Sequence, residues 1–217
     1  MQRGKIDTSP LLPNEYALLL EYFQEREELH WECLCRFLWE TGLRISEALA
    51  VRLTDLSTRT NRRGHHETVV QVQRLKKRKG PRTDKIPLTE DLAELMRRVA
   101  RGRHKYVFAN KRGKPYTRMA VWKALRRAAD AKGVQLEVHP HSFRHGFGRR
   151  VARMNLDLSA LDHRVLLAGL LGHESIKTVE PYFGAGVEDV DEVWERIHDL
   201  SGDSGGPRSR IPGPPGR

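Results

Sequence analysis

Three short stretches carry side chains able to hold a phosphate diester and attack it. Thr41-Gly-Leu-Arg44-Ile-Ser-Glu47 offers a guanidinium with a carboxylate three residues on. His139-Pro-His141-Ser-Phe-Arg144-His145 offers a second guanidinium among imidazoles. Leu170-Leu-Gly172-His173 ends in an imidazole, and the phenol of Tyr182 follows nine residues later. Arginine is the best cation for the non-bridging oxygens, because its planar fork bonds two of them at once and stays protonated. Histidines add donors that also shuttle protons. A tyrosine hydroxyl can attack phosphorus, and the ester it forms stores the bond energy. The leaving oxygen then needs a proton, which a lysine on a hairpin tip could deliver. These segments hold no cluster of aspartate and glutamate, so a two-metal clamp is unsupported.

Each group has a plainer reading. Arg44 and Glu47 could form an ordinary surface ion pair. His141 or His145 could be structural, and for His145 the two readings balance. His139, His65 and His66 read as non-catalytic. Tyr182 could be a core aromatic, but its neighbours Glu180, Pro181 and Gly184 are turn formers and favour an accessible hydroxyl.

The elements that must position these groups are mostly helical. Residues 13–23 read as a helix with Pro13 in its first turn, and residues 30–39 as a more apolar helix interrupted at Thr41-Gly42. Ser46 is expected to cap a short helix running through Leu49 and Val51, with Arg44 at its start and Glu47 within reach of Arg44. Residues 54–64 read as turn. Residues 67–73 alternate as a strand does, and residues 85–88 look like its return partner, confined to an edge by Pro87. Between them lies a loop bearing Arg74, Lys76, Lys77, Arg78, Lys79 and Arg82. Thr89 should cap a helix over 91–99, and a helix over 117–132 should end at Gly133. Phe143, Phe147 and Val151 recur every four residues in a helix over 141–154. Further helices are expected over 161–171 and, amphipathic, over 188–200. Gly172 should let the backbone turn sharply before His173. The fold class is mainly α with one small antiparallel β-sheet (α+β).

A net charge of +11 on 217 residues points to a polyanionic partner, nucleic acid first. Cys33 and Cys35, two residues apart, form neither a disulfide framework nor a metal pair, and read as buried free thiols suited to a cytoplasmic setting. No secretory signal opens the chain and no apolar run suits a bilayer, so no membrane partner is expected.

Taken together, these segments resemble the catalytic domain of the tyrosine recombinases, the phage-integrase and Xer-type family. Thr41-Gly-Leu-Arg44-Ile-Ser-Glu47 matches the family's first arginine motif, His141-Ser-Phe-Arg144-His145 its His-x-x-Arg-His box, and Leu171-Gly-His173 its third motif. Tyr182 stands at the family's usual distance. The resemblance runs from about residue 10 to 200. It implies that Arg44, Arg144 and His173 hold the scissile phosphate and that Glu47 orients Arg44. His141 assists proton transfer and phosphate binding, and Tyr182 forms a 3′-phosphotyrosyl link. Lys79, eight residues before Pro87, would be the acid for the 5′ hydroxyl, with Lys76 and Lys77 as neighbouring alternatives. Neither metal nor ATP would be needed, and no other cofactor is implied.

The expected organisation is a flexible N-terminus over 1–10, the catalytic domain over 11–200 and a disordered tail over 201–217. Double-stranded DNA is the expected partner. Lys76, Lys77, Arg78 and Arg82 on the hairpin, and Arg118, Lys123, Arg126 and Arg127 on the 117–132 helix, are the candidates to contact it. The resemblance also implies a tetramer on paired sites, with the 188–200 helix as a possible interface. Three features depart from the pattern. Only 43 residues precede Arg44, fewer than the usual core-binding domain needs, so the chain is expected to be either a catalytic fragment or a compact member lacking that clamp, which would bind DNA weakly or with help from an accessory DNA-binding protein. His173 lies 29 positions after Arg144, which suggests an insertion near 155–163. Pro181 directly precedes Tyr182, so the tyrosine should sit at a helix start or turn. Two other readings remain: a nicking-closing enzyme of type IB topoisomerase kind, and a non-enzymatic DNA-binding regulator derived from the recombinase fold.

Binding to duplex DNA should weaken steeply with salt. Six lysine or arginine contacts to phosphate would lose about a thousandfold in affinity between about 50 and 200 mM salt. A flat response in a filter-binding or anisotropy titration would count against DNA as the partner.

Overall fold

A computed structural model of the protein describes residues 9–61, 64–74, 82–101, 105–154 and 160–172. Seven α-helices and three strands occur among them: α1 (Pro13–Gln24), α2 (Leu29–Thr41), α3 (Ile45–Ala48), β1 (Leu56–Thr60), β2 (His66–Arg74), β3 (Arg82–Leu88), α4 (Glu90–Ala100), α5 (Arg118–Ala131), α6 (Pro140–Ala152) and α7 (Ala160–Leu171). The helices expected over 13–23, 30–39, 91–99, 117–132, 141–154 and 161–171 are all present, with ends shifted by one or two residues. The 188–200 helix, the 201–217 tail, Pro181 and residues 155–159 of the expected insertion lie outside the described residues.

The core is organised around α2, which is buried along most of its length and packs against α1, α4 and α6. Even its polar stripe, Glu32, Arg36 and Glu40 at four-residue spacing, is largely enclosed, so neighbours cover the helix on several sides. Tyr16 of α1 stacks on Trp39 at 4.1 Å, and Phe37 meets Phe108 at 5.3 Å. Phe143, Phe147 and Val151 of α6 are completely buried, as their four-residue spacing anticipates. Cys33 and Cys35 are buried free thiols. Thr89 and Thr117 cap α4 and α5, accepting from the amides of Leu92 and Ala120 at 3.3 and 3.1 Å.

The sheet has order β1-β2-β3, antiparallel throughout, so Pro87 does lie on an edge strand, opposite Val69. Three expectations need correction here. Residues 56–60, read as turn, form β1, pairing from Leu56↔Val70 to Thr60↔His66. Leu-Ser-Thr-Arg-Thr has no apolar alternation. Its threonines suit a pleated surface, but the strand is held by β2 rather than announced by its own pattern. The return strand starts at Arg82, not Lys85, and the last rung is Arg74↔Arg82, so both of these arginines belong to strands rather than to the loop. Ser46 does not cap α3. The helix starts at Ile45, and the backbone N–H of Arg44 donates to the Glu47 carboxylate at 3.1 Å. A carboxylate at the third helical position satisfies that amide directly.

No helix among the described residues is long and apolar enough to cross a membrane.

Beneath Thr89, whose hydroxyl donates to it at 2.9 Å, lies Glu40 of α2. Burial raises its carboxyl from 4.5 to about 7, against the lowering pull of the Thr89 bonds and of Arg36 and Arg150. Between these two values the folded chain keeps a proton that the unfolded chain has released. The stability contribution of Glu40 is therefore full below about pH 4.5 and is lost as pH rises to about 7, at up to about 1.4 kcal/mol per pH unit. Replacing Glu40 by Gln should flatten that part of the profile, as read by thermal melts across the same range.

Candidate active site

The junction of α2 and α3 is where the first arginine is set. Gly42 closes α2 in the left-handed region at φ 58°, its amide bonded to Leu38 O at 3.0 Å. A Cβ there would fall 2.5 Å from the Phe147 ring, so only glycine lets the junction press against α6. The chain then extends through Leu43 and places Arg44 as the residue that starts α3.

Arg144 projects from α6 into the same region and is 3% exposed. One of its terminal nitrogens donates to Gly42 O at 2.8 Å and the other to Leu171 O at 2.5 Å. The second arginine thus ties the segment leading to Arg44 to the last turn of α7. That turn would otherwise end in carbonyls without intrahelical donors, and a cation suits its partial negative charge. Gly172, at φ 61°, follows immediately and makes the turn expected before His173.

Glu47 is the carboxylate of the site, and its side chain is wholly buried. Oε1 accepts from Arg44 Nη1 at 3.1 Å, and Oε2 accepts the Arg44 amide at 3.1 Å and Arg74 Nη1 at 3.3 Å. Arg74 also donates through Nε to Asp84 at 2.8 Å and through Nη2 to Leu170 O at 2.8 Å. Asp84 accepts from Arg82 as well. The sequence pattern puts Arg74 in the basic loop of the hairpin. Its side chain is in fact 2% exposed. A signal was available: in β2 the period of two puts Val70, Val72 and Arg74 on one face, all buried.

His141 and His145 stand one helical turn apart on α6 with their rings 5.5 Å apart. His141 is exposed and His145 half-buried. Burial first, then the neighbouring His141, Arg144 and His139, pushes His145 down to about 4, so it is a neutral imidazole at physiological pH. Among the described residues no group of three or more His, Cys, Asp or Glu side chains could hold a metal.

The fold therefore joins Arg44, Glu47 and Arg74 in one network and ties Arg144 to the segment that leads to Arg44, while His141 stands on α6 one turn before His145. Lys76, Lys77, Arg78, Lys79, His173 and Tyr182 lie outside the described residues. The α5 candidates Arg118, Lys123, Arg126 and Arg127 are exposed. Arg126 pairs with Asp130 and Glu137, and Arg127 pairs with Glu28 of the loop before α2.

This architecture is the catalytic-domain fold of the tyrosine recombinases. It superposes on the XerH site-specific recombinase bound to palindromic difH substrate (post-cleavage complex) with a TM-score of 0.63 at 19% identity, over 94% of this chain and 55% of that one. It also matches a lambda integrase(75-356) dimer bound to a COC′ core site, with a TM-score of 0.59 at 18% identity, over 81% of this chain and 61% of that one. The phage integrase family model matches residues 10–187, and the chain belongs to that family. A tyrosine recombinase XerD of Corynebacterium glutamicum is 25% identical over 195 residues, 85% of this chain and 60% of that protein. The protein of the same name from Mycobacterium tuberculosis is 30% identical over 168 residues, 74% of this chain and 50% of that protein. The chain thus spans half to three fifths of the length of these relatives.

Removing the Glu47 carboxylate should be costly, because it leaves the buried Arg74 cation without one of its two carboxylate partners. Glu47→Ala is expected to lose about 3 kcal/mol or more of unfolding free energy. Arg126→Ala, which breaks exposed ion pairs and a loose contact over the Trp122 ring, should lose only about 1 kcal/mol. Urea unfolding of the two variants checks the contrast.

Proposed function

We propose that this chain carries the catalytic centre of a site-specific DNA recombinase. Tyr182 Oη attacks a phosphodiester of duplex DNA. The new bond is a 3′-phosphotyrosyl ester, the bond broken is that to the 5′ oxygen, and the phenolic proton passes to a neighbouring base. Lys79 gives the 5′ oxygen its proton. Arg44, Arg144 and His173 hold the non-bridging oxygens, and His141 supports proton transfer and phosphate binding. The 5′ hydroxyl of a partner strand then attacks the ester and restores a phosphodiester. Each step exchanges one phosphate ester for another, so the bond energy is conserved without ATP. Exchange between two sites requires more than one protomer. A tetramer, with the 188–200 helix linking protomers, is the arrangement we favour, and an accessory DNA-binding protein could add grip on the duplex. Arg82, Arg118, Lys123, Arg126 and Arg127, with the loop residues Lys76, Lys77 and Arg78, complete the proposed DNA-facing set. Residues 11–200 are the proposed catalytic domain.

One observation carries this reading. Arg144 bonds Gly42 O, two residues before Arg44, and Leu171 O, two residues before His173. Two segments far apart in the chain, the one that leads to Arg44 and the last turn of α7, are thereby tied to a single guanidinium. Membership of the phage integrase family and the resemblance to the XerD tyrosine recombinases support the same chemistry.

Covalent capture tests it. The protein is mixed with nicked duplexes drawn from its own genomic neighbourhood, without metal, and resolved on a denaturing gel. A slow-migrating adduct that vanishes in Tyr182→Phe, while DNA binding persists, is the expected result. Intact binding without an adduct in the parent protein would favour the regulator reading.

A further inference from the structure

Arg74 lies outside every motif that carries the proposed chemistry, yet it is among the most deeply buried cations of the molecule. Five charges alternate across three elements: Arg44, Glu47, Arg74, Asp84 and Arg82. The inner members are enclosed, with side chains 0% (Glu47), 2% (Arg74) and 10% (Asp84) exposed. The ends reach solvent, at 21% (Arg44) and 53% (Arg82). Burying an arginine this deeply is costly unless its donors are met, and here Asp84, Glu47 and Leu170 O meet them.

The arrangement at Glu47 says what Arg74 does. Its Oε2 is engaged by Arg74 and by the Arg44 amide, which leaves Oε1 to hold the Arg44 side chain through one nitrogen. An arginine and a carboxylate left to themselves tend to close into a bidentate fork. Such a fork would draw the Arg44 guanidinium onto Glu47 and away from the surface where a phosphate must bind.

We infer that Arg74 is a positioning residue for Arg44: by occupying one oxygen of Glu47 it keeps Arg44 singly tethered and turned toward the scissile phosphate. At the same time its bond to Leu170 O, beside the Arg144 bond to Leu171 O, seats the end of α7 against the same carboxylate. The inference rests on the recombinase reading, because its consequence is a rate of phosphoryl transfer. Lysine cannot replace this arginine. It carries the charge at one point, on a stem whose donors do not match the separated positions of Asp84, Glu47 and Leu170 O.

The test is the single-turnover rate constant of covalent capture on a nicked duplex from the chain's own genomic neighbourhood, measured for the competent fraction. Arg74→Lys should slow it by about tenfold or more, as a small displacement of a reacting group does, with duplex affinity close to that of the parent. In an Arg44→Lys background the same change should have no further effect, because Arg74 acts through Arg44. Asp84→Asn, which loosens Arg74 but leaves it in place, should give a smaller slowing that is likewise silent in that background. It serves if Arg74→Lys does not fold. A lower melting temperature and a smaller competent fraction with an unchanged rate constant would mean that Arg74 only supports the fold. Slowing that multiplies with Arg44→Lys would mean that it acts elsewhere. Either result overturns the inference. Absence of capture by the parent protein would defeat the recombinase reading instead. The link between the two arginines is then read from the side-chain Nε–H resonance of Arg44, which should move in Asp84→Asn and would leave the inference without support if it stayed in place.

Discussion

The buried carboxylate of Glu47 is the constraint on which the site depends. It is removed from water, so its charge must be met by donors inside the protein, and those donors come from three places: the amide of Arg44, its side chain, and Arg74 from the far end of β2. One anion thereby sets the start of α3, the direction of a candidate phosphate-binding arginine and the seating of the sheet against the helices. Because Arg74 continues to Asp84 and to Leu170 O, the same network reaches β3 and the end of α7. No single bond here is strong in net terms, but a network whose members are all enclosed tolerates few alternative arrangements.

A second constraint is steric. α2 runs through the centre of the molecule, and its exit must bring Arg44 close to α6. The left-handed Gly42, pressed on Phe147, achieves this where any side chain would collide. Arg144, three residues before Phe147 on α6, then reaches back to Gly42 O. Packing and hydrogen bonding at this corner are therefore not separable. The aromatic ring fixes the distance, and the guanidinium fixes the direction.

Among the described residues, part of the positive charge is already engaged within the protein. Several basic side chains are engaged by the protein's own carboxylates: Arg127 by Glu28, Lys132 by Glu21 and Glu25, Arg126 by Asp130 and Glu137. On α5 these pairs link the helix to the α1 end of the molecule, so part of what looks like an electrostatic footprint in the composition is also a surface brace. Exposed pairs of this kind are weak and screened by salt, and they exchange readily for phosphate contacts.

The amino-acid sequence by itself determined the family, the order of the helices, the caps at Thr89 and Thr117, and the candidate residues Arg44, Glu47, His141 and Arg144. Those features are local: a periodicity, a capping side chain or a motif of a few residues is complete within its own stretch. Only the tertiary structure decided the rest. β1 exists because β2 pairs with it, not because Leu-Ser-Thr-Arg-Thr alternates. Arg74 is an enclosed linchpin rather than a solvated charge because the register of the sheet turns it inward beneath α7, against a carboxylate 27 residues away and a carbonyl 96 residues away. His145 is a neutral imidazole first because folding buries it; the neighbours that add to the shift, His141, Arg144 and His139, lie in its own stretch. Burial and long-range pairing are properties of the folded surface: the period of two in β2 marks Arg74 as sharing a face with Val70 and Val72, but nothing in that stretch names the carboxylate and the carbonyl that meet it there.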